Sequence, residues 1–149
     1  MASVQKISPF LMFDGPVEEA AKFYVSVFPN SELKSANPMS ATIVANGTEI
    51  LMFNGGPHFK FSPGISLFVK CKDQAEVDRL WAALTAGGEE VACSWLKDRY
   101  GVSWQIVPSV MPKFLADPDR EKAARVMKAM MNMVKLDIAA LQAAYDGRS

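Results

Sequence analysis

Lys6-Ile7-Ser8-Pro9-Phe10-Leu11-Met12-Phe13-Asp14-Gly15-Pro16 decides how this chain is read. A short apolar run, predicted to be a strand, ends there in a turn that also opens a helix. Pro16 suits the first helical position, where no backbone donor is missed, and Glu18 and Glu19 fall in the first turn, where the helix dipole favours negative charge. Ala20, Phe23, Tyr24, Val27 and Phe28 recur at helical spacing until Pro29-Asn30-Ser31 stops the pattern. Three strands are predicted next: Glu32 to Ala36, Ala41 to Ala45 and Glu49 to Phe53. Asn46-Gly47 between the last two is a strong two-residue hairpin signal. The order is β-α-β-β-β.

A breaker-rich stretch, Asn54-Gly55-Gly56-Pro57-His58-Phe59-Lys60-Phe61-Ser62-Pro63-Gly64, follows, and the same order then begins again. Ile65 to Cys71 reads as a strand. Asp73-Gln74-Ala75-Glu76 has capping-box form, and the helix it opens carries Val77, Leu80, Trp81 and Leu84 on one face before Gly87-Gly88 ends it. Glu90 to Ser94, Trp95 to Lys97 and Val102 to Val107 are predicted strands. The two helix starts lie about 58 residues apart, which argues for a duplicated unit. After Pro108 the pattern turns helical. Asp117-Pro118-Asp119 signals a helix start, Ala123, Val126, Met127, Met130, Met131 and Val134 form a broad apolar face, and Asp137 caps a shorter helix with Ile138, Leu141 and Tyr145. So apolar a tail covers either its own sheet or a second subunit. The reading is one α+β domain over 1–149, with module one at about 5–54, module two at about 64–108 and a helical tail at about 111–146.

Composition narrows the function classes. The 149 residues carry 16 Lys plus Arg against 16 Asp plus Glu, with 50% hydrophobic residues. The scattered basic residues leave no electrostatic footprint for a phosphate backbone, so nucleic acid is not an expected partner. No apolar run reaches the ~18 residues of a membrane span, and Met1 to Lys6 lack the charged-then-apolar pattern of a secretory signal. A soluble cytoplasmic protein with no membrane partner is expected. Two cysteines, Cys71 and Cys93, do not make a disulfide framework, and with the lone His58 they offer too few soft ligands for a self-contained metal site.

Duplicated β-α-β-β-β modules resemble the vicinal oxygen chelate superfamily, which includes glyoxalase I, extradiol dioxygenases, fosfomycin resistance proteins and bleomycin-binding proteins. More closely, Phe10-Leu-Met-Phe-Asp-Gly15, Glu18-Glu-Ala-Ala-Lys-Phe-Tyr24, Asn54-Gly-Gly-Pro57, Phe59-Lys-Phe61, Gly87-Gly88, Trp95-Leu-Lys-Asp-Arg-Tyr-Gly101 and Ser103-Trp-Gln-Ile-Val-Pro108 look like its PhnB-like branch, as does the tail at Asp137-Ile-Ala-Ala-Leu141 with Ala144-Tyr145. The resemblance implies a cupped mixed sheet of the glyoxalase/bleomycin resistance/dihydroxybiphenyl dioxygenase type. Many members carry the label 3-demethylubiquinone-9 3-methyltransferase. A nucleotide-type methyl donor site needs a glycine-rich turn after a parallel strand within a longer alternating α/β pattern, and no such turn is present. Gly55-Gly56 and Gly87-Gly88 sit instead in a linker and at a helix end, where chain reversal asks for positive φ.

In metal-dependent relatives the ligands come from the first and last strands of each module. Matched by helix starts and by the Asp98-Arg-Tyr-Gly101 turn, the resemblance places Ser66 and Gln105 at two of these positions, with Ile7, Ser8 or Pro9 and Ile50, Met52 or Asn54 at the others. This quartet holds no carboxylate or imidazole, a poor cage for a divalent ion. No metal and no other cofactor is expected.

Strand parity turns Ser103, Gln105 and Val107 to the cleft and Trp104 and Ile106 to the helix side, and likewise Ser66 and Phe68 inward with Leu67 and Val69 in the core. The candidate binding set is Met12, Met52, Asn54, Ser66, Phe68, Cys93, Trp95, Ser103 and Gln105, mixed apolar and neutral polar as small-molecule pockets are. An ordinary half-buried sheet face has the same composition. Trp95 closes over a ligand or packs on a partner subunit. Cys93 is a structural thiol or a nucleophile, Cys71 a structural thiol, and His58 an exposed loop residue or an acid, base or ligand contact. Lys97, Asp98 and Arg99 read as a solvated turn. The expectation is a metal-free, homodimeric small-molecule-binding protein. A metal-dependent lyase, isomerase or dioxygenase is the enzymatic alternative, and a dimerisation module with a filled cup the third.

Overall fold

The computed structural model describes residues 5–148, so part of the Met1 to Lys6 segment weighed above as a leader lies outside the described residues. The chain divides into two compact units, Met1–Phe61 and Ser62–Ser149, and the division falls inside the Gly/Pro-rich stretch between the two modules.

The first unit runs β1 (Phe10–Phe13), α1 (Glu18–Val27), β2 (Glu32–Ala36), β3 (Ser40–Ala45) and β4 (Thr48–Asn54). Its sheet has the order β1-β4-β3-β2, with β1 parallel to β4 and the other neighbours antiparallel. Asn46 and Gly47 both take positive φ, the geometry that a tight hairpin matched to strand twist demands. Pro16 sits one residue before Val17, the N-cap, and so precedes the helix rather than occupying its first turn. Val17, Ala20, Ala21, Tyr24 and Val27 bury the inner side of α1, and Phe13, Ala41, Ile43, Ile50 and Met52 are the buried residues of the sheet.

The second unit repeats the plan with β5 (Leu67–Cys71), α2 (Gln74–Thr85), β6 (Glu89–Glu90), β7 (Trp95–Lys97) and β8 (Ser103–Pro108), in the order β5-β8-β7-β6 with β5 parallel to β8. The Asp73 carboxylate accepts the N–H of Glu76 at 2.9 Å, and Glu76 in turn accepts the N–H of Lys72 at 2.8 Å, so the capping box forms with its return bond one residue early. Val77, Leu80, Trp81 and Leu84 are buried as the periodicity predicts. The Trp81 indole N–H donates to Glu90 at 3.0 Å.

Two local expectations are corrected. Glu90 to Ser94 is not a strand, because Cys93 and Ser94 take φ of +57° and +79° and leave the extended region. Their N–H groups donate instead to the carbonyls of Met133 and Val134 at 2.8 and 2.9 Å, so the tail takes the bonds that a ladder would use. Nor is Asp98 solvated, being only 3% exposed. One of its carboxylate oxygens accepts the N–H groups of Tyr100 (2.8 Å) and Val102 (3.1 Å), and the other accepts the Trp104 indole N–H at 2.8 Å.

The tail forms α3 (Val110–Leu115), α4 (Arg120–Met131) and α5 (Ile138–Tyr145). Asp119 and Asp137 cap the last two through their side chains. Met111, Phe114, Val126, Leu136 and Leu141 bury themselves in one cluster with Val107 of β8, which settles the tail's covering role in favour of its own chain for these residues. Gln74 at the start of α2 clamps the link to α5, donating to the Leu136 carbonyl at 3.0 Å and accepting the Ile138 N–H at 2.7 Å. The apolar face predicted for α4 is divided. Ala123 and Val126 are buried, while Met127, Met131 and Val134 stay exposed. Among the described residues no helix is long and apolar enough to cross a membrane.

Candidate functional site

The face of the second sheet turned away from α2 carries most of the candidate residues. Register fixes which ones. Phe68 pairs with Gln105 across β5 and β8, and Trp95 pairs with the same Gln105 across β7 and β8. Directly paired residues point to one side of a sheet, so Trp95, Gln105 and Phe68 form a row, with Lys97 and Ser103 in the next. Leu96, Trp104 and Ile106 take the opposite side and are buried there, as strand parity predicts. Gln105 donates through Nε2 to the Ser66 hydroxyl at 2.9 Å, bringing together the two polar residues that sequence reasoning paired. Phe68 is 49% exposed, Gln105, Ser66, Trp95 and Lys97 are half-buried, and Ser103 is buried. Val107, the third residue of β8 on this side, lies under the tail cluster and is not open to a ligand.

The first unit corrects part of the candidate set. β1 and β4 pair Leu11 with Met52, Met12 with Phe53 and Phe13 with Asn54, so Met12 faces one side of the sheet and Met52 and Asn54 the other. Phe13 on that other side meets Tyr24 of α1 at a ring distance of 6.5 Å, which identifies it as the helix-covered face. Met52, 1% exposed, is core there rather than lining. Asn54 holds the chain reversals, its Oδ1 accepting the N–H groups of Gly15 at 3.1 Å and Gly56 at 3.2 Å. Met12 is half-buried and packs on Gly55, where a Cβ would come within 2.7 Å of the thioether methyl. The glycine pairs thus divide by cause. Gly56 and Gly87 take positive φ, whereas an added Cβ on Gly88 would fall 2.1 Å from the Lys97 carbonyl oxygen.

Cys93 does not join the row of Gln105. Its Sγ lies 3.6 Å from the Met131 carbonyl and 3.8 Å from that residue's thioether, facing the tail. Cys71 is fully buried, and desolvation, with help from the charges of Glu76 and Asp73, pushes its thiol up to about 12, which suits a structural role. His58 is exposed on a 3-10 turn at Gly56–His58. Lys97 is what sequence reasoning missed. Charge neighbours suggested a solvated turn, whereas the ladder with Ser103 places it half-buried on the candidate face.

The divalent ion implied by the superfamily does not fit these residues. Ser66 and Gln105 are neutral and spend one bond on each other, and among the described residues no three or more His, Cys, Asp or Glu side chains gather as a cage. What the face offers is aromatic surface, an amide, hydroxyls and the ammonium groups of Lys97 and, beside Phe68 on β5, of exposed Lys70.

Comparison with known proteins bears on the fold and the family. Residues 5–107 match the 3-demethylubiquinone-9 3-methyltransferase family, and helices α3 to α5 lie beyond the match. A PhnB protein from Bacillus cereus, provisionally described as a 3-demethylubiquinone-9 3-methyltransferase, is 34% identical, with a TM-score of 0.65 over 70% of this chain and 99% of that one. Protein PA1353 from Pseudomonas aeruginosa (24% identity, TM-score 0.57, 71% of this chain and 98% of that one) shares the fold. So does the fosfomycin resistance protein FosX from Listeria monocytogenes, solved with Mn(II) and sulfate (14% identity, TM-score 0.54, 76% of this chain and 97% of that one). No curated protein matches the chain. On the duplicated modules, the extent of the match and the likeness to the Bacillus cereus PhnB protein, the chain belongs to the family named for 3-demethylubiquinone-9 3-methyltransferase.

Proposed function

We propose that this chain is a metal-free, homodimeric small-molecule-binding protein of the cytoplasm that takes its ligand on the face of the second sheet turned away from α2. The observation that carries the reading is the row Trp95, Gln105, Phe68, in which two aromatic side chains flank an amide and one of them is 49% exposed. Apolar walls with a few orienting polar groups are how proteins hold small organic ligands. Exposed Met127, Met131 and Val134 on the tail supply apolar surface that a second copy would cover, and two free thiols suit a reducing compartment. Methyl transfer has no part in the reading, because the glycine pairs serve turns and close packing rather than a nucleotide.

Native mass spectrometry with elemental analysis, on protein purified without chelator, tests all parts together. The expected result is a dimer with no stoichiometric metal that takes up small organic ligands. One divalent ion per chain would overturn the reading and favour a metal-dependent lyase, isomerase or dioxygenase.

A further inference from the structure

We infer that the ligand of this face is a flat aromatic or heteroaromatic acid, its ring held above Gln105 between Trp95 and Phe68 and its anionic group met by Lys97. This deepens the binding proposal above and rests on it.

Strand spacing sets the first half of the argument. β7 and β5 both neighbour β8, so each lies roughly 4.8 Å from Gln105, one on either side. Aromatic pairs stack or meet edge to face at centroid distances of about 4.5–7 Å. A ring centred over Gln105 is therefore within contact range of Trp95 and Phe68 together, and an aliphatic ligand would forgo both contacts. Neither Phe68 nor Trp95 makes a ring–ring contact with another described residue, so both can still take an aromatic partner.

Polar groups set the second half. Gln105 uses Nε2 on Ser66, and its Oε1 accepts no hydrogen bond from any described residue, which leaves an acceptor under the ring for a ligand N–H or O–H. Lys97 lies two residues from Trp95 along β7, on the same side of the sheet, roughly 7 Å away. It is half-buried yet pairs with no carboxylate among the described residues. Glu89, its cross-strand neighbour in β6, is exposed and outside ion-pair distance. The Lys97 ammonium, on a half-buried side chain beside buried Ser103 and without a carboxylate partner, is placed to make a charge-assisted bond to an anion with oxygen acceptors. The spacing asks for that anion to be carried directly on the ring.

The test titrates the full chain with a naphthoate, its neutral alcohol analogue naphthalenemethanol, and cyclohexanecarboxylate, following tryptophan fluorescence and heat. The expected order has naphthoate bound about tenfold tighter than the alcohol, which is the size of one charge-assisted hydrogen bond, and cyclohexanecarboxylate weakest. Lys97→Met should abolish the preference for acid over alcohol, and Phe68→Leu should weaken both aromatic probes alike. Equal binding of acid and alcohol, or a preference that survives Lys97→Met, would overturn this inference while leaving a binding face. Binding of no probe, or binding that ignores both Phe68→Leu and Trp95→Leu, would overturn the face itself and this inference with it.

Discussion

The Nε2 of Gln105 donates to the Ser66 hydroxyl at 2.9 Å, across the parallel ladder of β5 and β8. Resemblance to metal-dependent relatives assigns both positions to ligands, and here they satisfy each other. A neutral pair of this kind orients an amide without binding a cation.

Gln105→Ala should therefore weaken binding of an aromatic acid probe about fivefold to tenfold, the loss of one orienting hydrogen bond, while shifting the melting temperature little. Its side chain is half-buried and lies outside the α2-packed core, so the fold does not depend on it. Parallel calorimetric titrations and thermal melts of the two proteins check this. Unchanged affinity would remove Gln105 from the site.

Asp98 is the opposite case. A buried carboxylate accepts two backbone N–H groups and the Trp104 indole, so Asp98→Ala strands three donors, two of them buried. A loss of at least about 3 kcal/mol is expected from urea unfolding, with Asp98→Asn milder because it keeps an acceptor. A nearly neutral Asp98→Ala would show that the turn holds without it.

The contrast between these residues shows what the sequence could and could not tell. The buried face of α2, the Asn46-Gly47 hairpin and the module order follow from local chemistry and emerge as predicted. The facing of Met52 does not, because parallel strands β1 and β4 are joined through an entire module and no turn sets their register. Leu11 pairs with Met52, so Met12 and Met52, placed together in the candidate set, fall on opposite sides of the sheet. Phe68 and Gln105 do share a face, because the resemblance anchors Ser66 and Gln105 separately and Phe68 follows from Ser66 by parity along a single strand. Asp98 looks solvated between Lys97 and Arg99, and only the return of β8 with Trp104 shows its purpose.

Tyr145 donates its hydroxyl to Asp117 at 2.5 Å, tying α5 to the segment before α4. The bond lowers the Asp117 carboxyl below its ordinary 3.8 and, from the other side, raises the Tyr145 phenol above its ordinary 10.0. A depressed carboxylate contributes stability above its unfolded value and loses it as pH falls through the folded one. A raised phenol contributes below its unfolded value and loses it as pH rises through the folded one. Protection of α5 amides from hydrogen exchange, corrected for the intrinsic rate at each pH, should therefore fall on both flanks, below about pH 4 and above about pH 10. Tyr145→Phe should remove this bond's share of both flanks. A variant whose α5 exchange matches that of the parent at every pH would refute the tie.

The two cysteines should separate cleanly in reactivity. With its thiol pushed up to about 12 and no exposed surface, Cys71 should resist iodoacetamide at pH 8 until urea unfolds the chain. Cys93 is half-buried, and its Sγ lies against the Met131 carbonyl and thioether. Peptide mass spectrometry should find native alkylation at Cys93 and none at Cys71. Comparable labelling of both in native protein would place Cys71 outside the α2 core.

Truncation after Pro108 tests the tail. Val107, the next-to-last residue of β8, packs with Met111, Phe114, Leu136 and Leu141, and the Cys93 and Ser94 N–H groups depend on the carbonyls of Met133 and Val134. Removing the helices opens that apolar cluster and leaves two amides in left-handed backbone without protein partners, a conformation that non-glycine residues hold only when their surroundings require it. The shortened chain should bind a hydrophobic dye, lose several degrees in melting temperature and aggregate at concentrations where the full chain does not. The family match already ends at Val107, so the domain's own elements are all retained in this variant and any defect belongs to the cover. A truncated protein as stable and dispersed as the parent would mean that the second sheet closes without its tail, and that the helices serve a surface other than the one they bury.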